Sequence, residues 1–244
     1  MLRLLCITAH PDDEAGAFGG ALQICAERGV ETSVVCLTAG TAARHRGGAR
    51  SDEALAAMRT RELGLSCKLL GVSHCEVLGY PDAHLDRTEL FSVVGDLVKR
   101  IREHKPQVVL TFGPDGGMTG HLDHAMAGVF ATVAFQWAAR PDRFPESGSP
   151  YAPQKLYYHT IDEKLPGRQP TAPPVVTARI DIGKDRFEKK IQAFMQHATQ
   201  EPLFERLRKN LDQPPYRELY HLACTREPHR AEFETDLLES VVDE

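Results

Sequence analysis

The chain has 244 residues, a net charge of −5, 42% apolar and 26% charged residues. That length suffices for one large α/β domain, and the ordinary composition excludes the disordered and fibrous classes. The acidic balance, with no Lys/Arg block, argues against a nucleic-acid partner, and no apolar run approaches the roughly 20 residues of a membrane span.

Residues 2–8 (LRLLCIT) read as a buried strand. They begin so close to Met1 that a signal peptide would consume the strand, so the expected location is the cytoplasm. Residues 15–28 carry apolar side chains at helical spacing and stop at Gly29. The β-branched run 31–38 (ETSVVCLT) predicts a second strand, completing a βαβ unit. A polar loop (41–50) leads to a helix from Ser51, as N-cap, to Leu70, with Gly71 as stop. A strand at 74–79, a loop at 80–86, a helix at 88–104 and a strand at 107–112 follow. The glycine-rich loop 113–120 opens a helix that runs from His121 to about Arg140.

Four strands alternating with helices predict a Rossmann-like, doubly wound, mostly parallel sheet over residues 1–140, in the order 3-2-1-4. A less regular C-terminal α+β extension spans 141–226. Strands are expected at 157–161 and 175–182, helices at 184–200 and 203–211, and a loose acidic tail at 227–244. The six cysteines (Cys6, Cys25, Cys36, Cys67, Cys75, Cys224) form no CxxC pair and read as small buried hydrophobes in a reducing compartment. Gly16, Gly19 and Gly20 do not make a GxGxxG fingerprint, so no dinucleotide site is expected.

The chemistry concentrates at two strand exits. His10-Pro11-Asp12-Asp13-Glu14 follows the first strand, and Gly120-His121-Leu122-Asp123-His124 follows the fourth. Crowded carboxylates repel unless a cation offsets them, and imidazole beside carboxylate suits zinc or ferrous iron better than magnesium or calcium. In open α/β sheets ligands bind outside the carboxyl ends of the strands, where the strand order reverses. Strands 1 and 4 flank that point, so the two clusters can meet. His121 and His124, at i and i+3, can face one centre. Two histidines and one carboxylate leave open coordination positions, as in catalytic sites. Asp12, beside the ligand Asp13, is then spare and suited to general-base work. His121, spare in the second cluster, could stabilise an oxyanion or protonate a leaving group. Glu14 either orients the water or caps the following helix.

These residues resemble the LmbE-like, or PIG-L, family of metal-dependent N-deacetylases. The resemblance rests on AHPDDE at 9–14, GHLDH at 120–124, Arg59-x-x-Glu62, Leu78-Gly79-Tyr80-Pro81-Asp82 and Lys190-x-x-Ala193-x-x-x-His197-x-x-Gln200. It implies one deacetylase domain over 1–244, with zinc, or alternatively ferrous iron, held by His10, Asp13 and His124. It implies Asp12 as general base and His121 as a charged partner in the transition state. Arg59, Asp82 and His197 match positions that bind substrate; otherwise they would be a surface helix arginine, a turn former and a solvated helix face. Asp123 is expected to support the ligands rather than join them. The implied substrate is a small N-acetylglucosamine conjugate whose aglycone pocket the C-terminal part shapes. N-acetylglucosaminyl-malate, an inositol conjugate, a mycothiol S-conjugate and a chitooligosaccharide all remain open, as does homo-oligomerisation.

Two rival classes share the residue types. A ferrous-iron oxygenase uses a 2-His-1-carboxylate triad, but on an all-β jelly roll with an HxD pair rather than at βα turns. A non-catalytic sugar-binding protein on the same fold could dispense with Asp12 or His121, and both are present.

Overall fold

The computed structural model describes residues 1–162, 172–203, 214–228 and 232–243. Its seven strands are β1 (Arg3–Thr8), β2 (Glu31–Thr38), β3 (His74–Tyr80), β4 (Val108–Phe112), β5 (Lys155–Thr160), β6 (Ala178–Asp181) and β7 (Arg217–Thr225). They form one sheet in the order β3-β2-β1-β4-β5-β7-β6. The first five strands run parallel, and β7 lies antiparallel between β5 and β6. Among the described residues it is accompanied by helices α1 (Asp13–Gly16), α2 (Gly19–Glu27), α3 (Asp52–Leu70), α4 (Leu90–His104), α5 (Leu122–Ala138) and α6 (Gly183–Phe194). The expected mixed α/β architecture, parallel core and extension are all present.

The centre of the sheet is apolar because both faces are covered. Leu4, Leu5, Cys6 and Ile7 of β1 and Val108–Leu110 of β4 are inaccessible to solvent. The caps follow their residue types. Ser51 accepts from the Ala54 N–H at 3.2 Å, and Gly71 closes α3 at φ 79°.

The expected single helix over 15–28 is two helices. Its start moves back to Asp13, and the chain breaks at Ala17-Phe18, where glycines on both sides weaken the helix and the Phe18 ring fills the core. The helix expected to reach Gln200 stops at Phe194, followed by a short 3₁₀ turn at Ala198–Gln200. Strand β7 was not anticipated. The helix expected at 203–211 falls almost wholly outside the described residues.

The tail beyond Arg226, expected to be loose, is docked where it is described. Glu234 bridges to Ala178, and its carboxylate takes the Lys155 ammonium at 2.6 Å and the Tyr157 hydroxyl. Leu237 and Leu238 are buried beside it. The acidic composition suggested solvation, but one of the acids answers a cation buried in β5. Four cysteines are buried as expected, whereas Cys75 is exposed and Cys224 half-buried.

Candidate metal centre

The exits of β1 and β4 come together as the crossover predicts. Asp13 Oδ2 accepts the N–H groups of Ala9 (3.1 Å) and His10 (2.8 Å), which pins the carboxylate to its own turn. Its Oδ1 lies 3.1 Å from His124 Nε2, which is 3.3 Å from His10 Nδ1. His10 Nδ1 is 3.7 Å from Asp13 Oδ2. Zinc bonds of about 2.0–2.1 Å at tetrahedral angles set donors about 3.3–3.4 Å apart. His10 Nδ1 and His124 Nε2 stand at that spacing, and Asp13 faces each of them through a different oxygen, so the three side chains could hold a divalent ion between them.

Further groups orient these side chains from outside. The other nitrogen of His10, Nε2, faces Asp82 Oδ1 at 3.1 Å and Asp123 Oδ2 at 3.3 Å. Thr119 Oγ1 stands 3.1 Å from His124 Nδ1, and the His124 ring stacks on Phe112 at 4.1 Å. Partners of this kind orient ligating imidazoles. Asp123 is itself fixed by the N–H groups of Ala83 (2.7 Å) and Leu85 (3.2 Å). Ligand atoms of His10, His121 and His124 also lie within 4.8 Å of one another, as do those of His10, Asp82 and Asp123. The latter trio engages the outer nitrogen of His10. Asp82 and Asp123 orient that ring from one side, and Asp13 faces it from the other.

Asp12 is the N-cap of α1 at φ 113°, a conformation that a non-glycine residue adopts only under constraint. Arg59 supplies much of that constraint. The guanidinium donates to the carbonyls of Pro11 and Gly40 and to Asp12 Oδ2 at 3.0 Å. Gly40, at φ 67°, is needed for this reach, since a Cβ there would come 1.8 Å from Arg59 Nη1. Arg59 is only 3% exposed, which rules out a surface helix role. Burial pushes the Asp12 carboxyl up to about 6, against the pull of Arg59.

Glu14 reaches back to the Asp12 N–H at 3.0 Å, so of its two expected roles it takes the capping one. Its other oxygen takes the Ser66 hydroxyl and His197 Nε2, the latter at 2.7 Å. His197 is buried, not on a solvated face, and it supports the motif from behind without lining the cavity. Burial presses the imidazole down, but Glu14 more than offsets this and leaves its pKa raised.

His121 caps α5, its Nδ1 accepting from the Asp123 N–H at 3.1 Å, which places the proton on Nε2. Its ring sits 4.8 Å from that of His10. Burial and the neighbouring imidazoles His10 and His124 lower its pKa.

His10, Asp12, Asp13, Arg59, Asp82, His121 and His124 all line one cavity of about 770 Å³. Asp82 Oδ2 accepts the Ala42 N–H at 2.7 Å, so the residue joins two loops as well as facing the cavity. Thr119 and His159 are among the cavity residues that the sequence motifs do not include. Their position at the exits of β4 and β5 was the available signal, because every parallel strand of such a sheet delivers side chains to the same crevice.

Comparison with known proteins agrees with this geometry. The PIG-L family profile (GlcNAc-PI de-N-acetylase) matches residues 5–135, more than half of the chain. A mycothiol S-conjugate amidase from Streptomyces coelicolor is 32% identical over 179 residues, covering 65% of this chain and 60% of that protein. The chain thus spans about three fifths of that relative's length. A 1D-myo-inositol 2-acetamido-2-deoxy-alpha-D-glucopyranoside deacetylase from Rhodococcus jostii is 30% identical, with 81% of each chain covered. The structure of N,N'-diacetylchitobiose deacetylase from Pyrococcus horikoshii superposes with a TM-score of 0.71 at 26% identity, covering 90% of this chain and 83% of that one. With the family profile spanning both strand exits, this chain belongs to the PIG-L family.

Proposed function

We propose that the chain is a zinc-dependent N-deacetylase that releases acetate from an N-acetylglucosamine conjugate and leaves a free amine. The observation that carries this reading is the convergence of His10, Asp13 and His124 in one cavity with Asp12 and His121. Relatives named as deacetylases of an acetamido-glucopyranoside and of diacetylchitobiose support the sugar class.

Bound there, the ion supplies Lewis acidity toward an amide carbonyl and toward water. The side chains do the rest. Asp12, held by Arg59, takes the proton of the attacking water as its oxygen bonds to the acetyl carbon. His121, protonated on Nε2, donates to the carbonyl oxygen as charge develops there. Asp12 then returns its proton to the nitrogen as the C–N bond breaks, giving amine and acetate. Asp82 lines the wall toward β3 and would meet the sugar hydroxyls, while Arg59 beside it is spent on Pro11, Gly40 and Asp12. His197 acts through Glu14 to hold the motif's loop. Ferrous iron is the alternative occupant, since the donor set suits both ions.

Among the described residues no helix is long and apolar enough to cross a membrane. The six unpaired cysteines support a cytoplasmic location.

The test is acetate release from N-acetylglucosaminides by zinc-loaded protein. Chelation should abolish it and zinc or ferrous iron should restore it. Full turnover by protein shown to be metal-free defeats the reading, and oxygen consumption coupled to turnover would favour an oxygenase.

A further inference from the structure

The cavity is larger than the chemistry needs. At about 770 Å³ it lies in the upper part of the about 300–1,000 Å³ range of ligand pockets. Along the exits of the strands it has two sides. Arg59 and Asp82 stand on the β2–β3 side of the metal donors, and the space continues the other way, past β5, to β7, β6 and α6. There it is walled by Ile182, Phe187, Ile191, Phe194, Tyr216 and Leu219. The Phe187 and Tyr216 rings pack at 4.9 Å, and both residues are half-buried, as is Ile191. The sector adjoins the metal motif directly: a Cβ built on Gly16 of α1 would lie 3.4 Å from the Phe194 ring.

The polar groups of this sector are already engaged with the protein. Lys190 is paired with Glu218, which also takes the N–H groups of Gly20 and Ala21 and the Tyr220 hydroxyl. Arg217 is paired with Asp162 at 2.9 Å. The Thr160 hydroxyl donates to the Pro174 carbonyl, and the Gln200 amide to the His45 carbonyl. Among the described residues lining the sector, both cations are thus committed. Among these residues a diacid would find no spare cation, and a polyol would have to give up its water for an apolar wall. His159 Nδ1, at the root of the sector, has no partner among the described residues, but it is shut off from the cavity.

We infer that the apolar sector is the aglycone subsite, and that the substrate carries an apolar aliphatic or aromatic group on its N-acetylglucosamine. This rests on the deacetylase reading: the acetyl group has two carbons, so the remaining volume belongs to what is attached to the sugar.

The experiment uses zinc-loaded full-length protein and N-acetylglucosaminides that differ only in aglycone: methyl, propyl, pentyl, phenyl, inositol and malate. Acetate release gives kcat/KM for each, and calorimetry gives the affinity. The pentyl and phenyl glycosides should exceed the inositol and malate ones by at least about 10-fold, with a gain of about fourfold per added methylene. Ile191→Asn and Phe187→Ala should each shrink the pentyl-to-methyl ratio, with thermal melts confirming that the variants fold. Acetate release with a flat series, or with inositol or malate preferred, overturns the inference and leaves the deacetylase reading standing. Tighter binding of the apolar members without acetate release supports the subsite and removes the deacetylase reading. Neither binding preference nor cleavage overturns both.

Discussion

Arg59 donates from Nη2 to Asp12 Oδ2 at 3.0 Å, and its guanidinium also holds the carbonyls of Pro11 and Gly40. One buried cation therefore fixes both the backbone and the carboxylate of a residue at φ 113°. Arg59→Ala should leave two buried carbonyls without a donor, at roughly 1–3 kcal/mol in stability. Turnover should fall by about 10²-fold through misplacement of Asp12, with bound zinc unchanged. Steady-state kinetics with metal analysis checks this. A rise in KM at constant kcat would mean that Arg59 acts on the sugar rather than through Asp12.

Asp12→Asn should retain the metal and lose about 10²–10⁴-fold in turnover, because the amide fills the same space but cannot accept a proton. By contrast, His10→Ala, Asp13→Ala and His124→Ala should each remove bound zinc, measured by elemental analysis. Loss of zinc from Asp12→Asn at normal turnover per remaining ion would exchange the roles of the two aspartates.

His197→Ala should act on the fold before it acts on chemistry. It strips the inaccessible Glu14 carboxylate of its 2.7 Å partner, and breaking a buried pair costs about 3–5 kcal/mol. For a chain of this length each kcal/mol moves Tm by roughly 2–4 °C. Calorimetry should show the drop, with Glu14→Gln in the same background recovering part of it. An unchanged Tm would place His197 outside the support of the motif.

Acid stability should depend on Glu218. Burial pushes its pKa up, but Lys190 and the N–H groups of Gly20 and Ala21 outweigh it and hold the carboxyl below its ordinary value. A depressed carboxylate contributes stability above the unfolded value of about 4.3 and loses it as pH falls through the folded value. Lys190→Met removes the main offset, so the acid unfolding midpoint should move up in pH, followed by circular dichroism. A midpoint unmoved by the substitution would show that the pair is not what keeps Glu218 ionised.

Glu234→Ala should destabilise the chain by about 3–5 kcal/mol in urea titrations, because it strands Lys155, which is only 6% exposed, inside β5. A loss below about 1 kcal/mol would return the tail to the loose segment that its composition suggests.

The parallel half of the fold was readable because its strands are apolar runs set off by glycine and separated by helical periods. Both metal clusters were readable because their residue types make little sense without a cation. Strand β7 was not, because Glu218 and His221 break the apolar run, and Glu218 is buried only because Lys190, 28 residues away, meets it. The break at Phe18 was hidden by the apolar spacing that continues through it. Arg59 was readable as a site residue from its family match, yet its hold on Pro11 and Gly40 depends on a turn conformation that no local pattern announces.

His10 and His124 are 114 residues apart in the chain and 3.3 Å apart at their ring nitrogens. An ion gripping both is bound by the folded chain and hardly at all by the unfolded one. It is therefore a folding ligand, contributing about 4 kcal/mol at a thousand times its dissociation constant. An ion bound there would act as a clasp joining the two halves of the parallel sheet, so its removal should lower the melting temperature as well as the turnover.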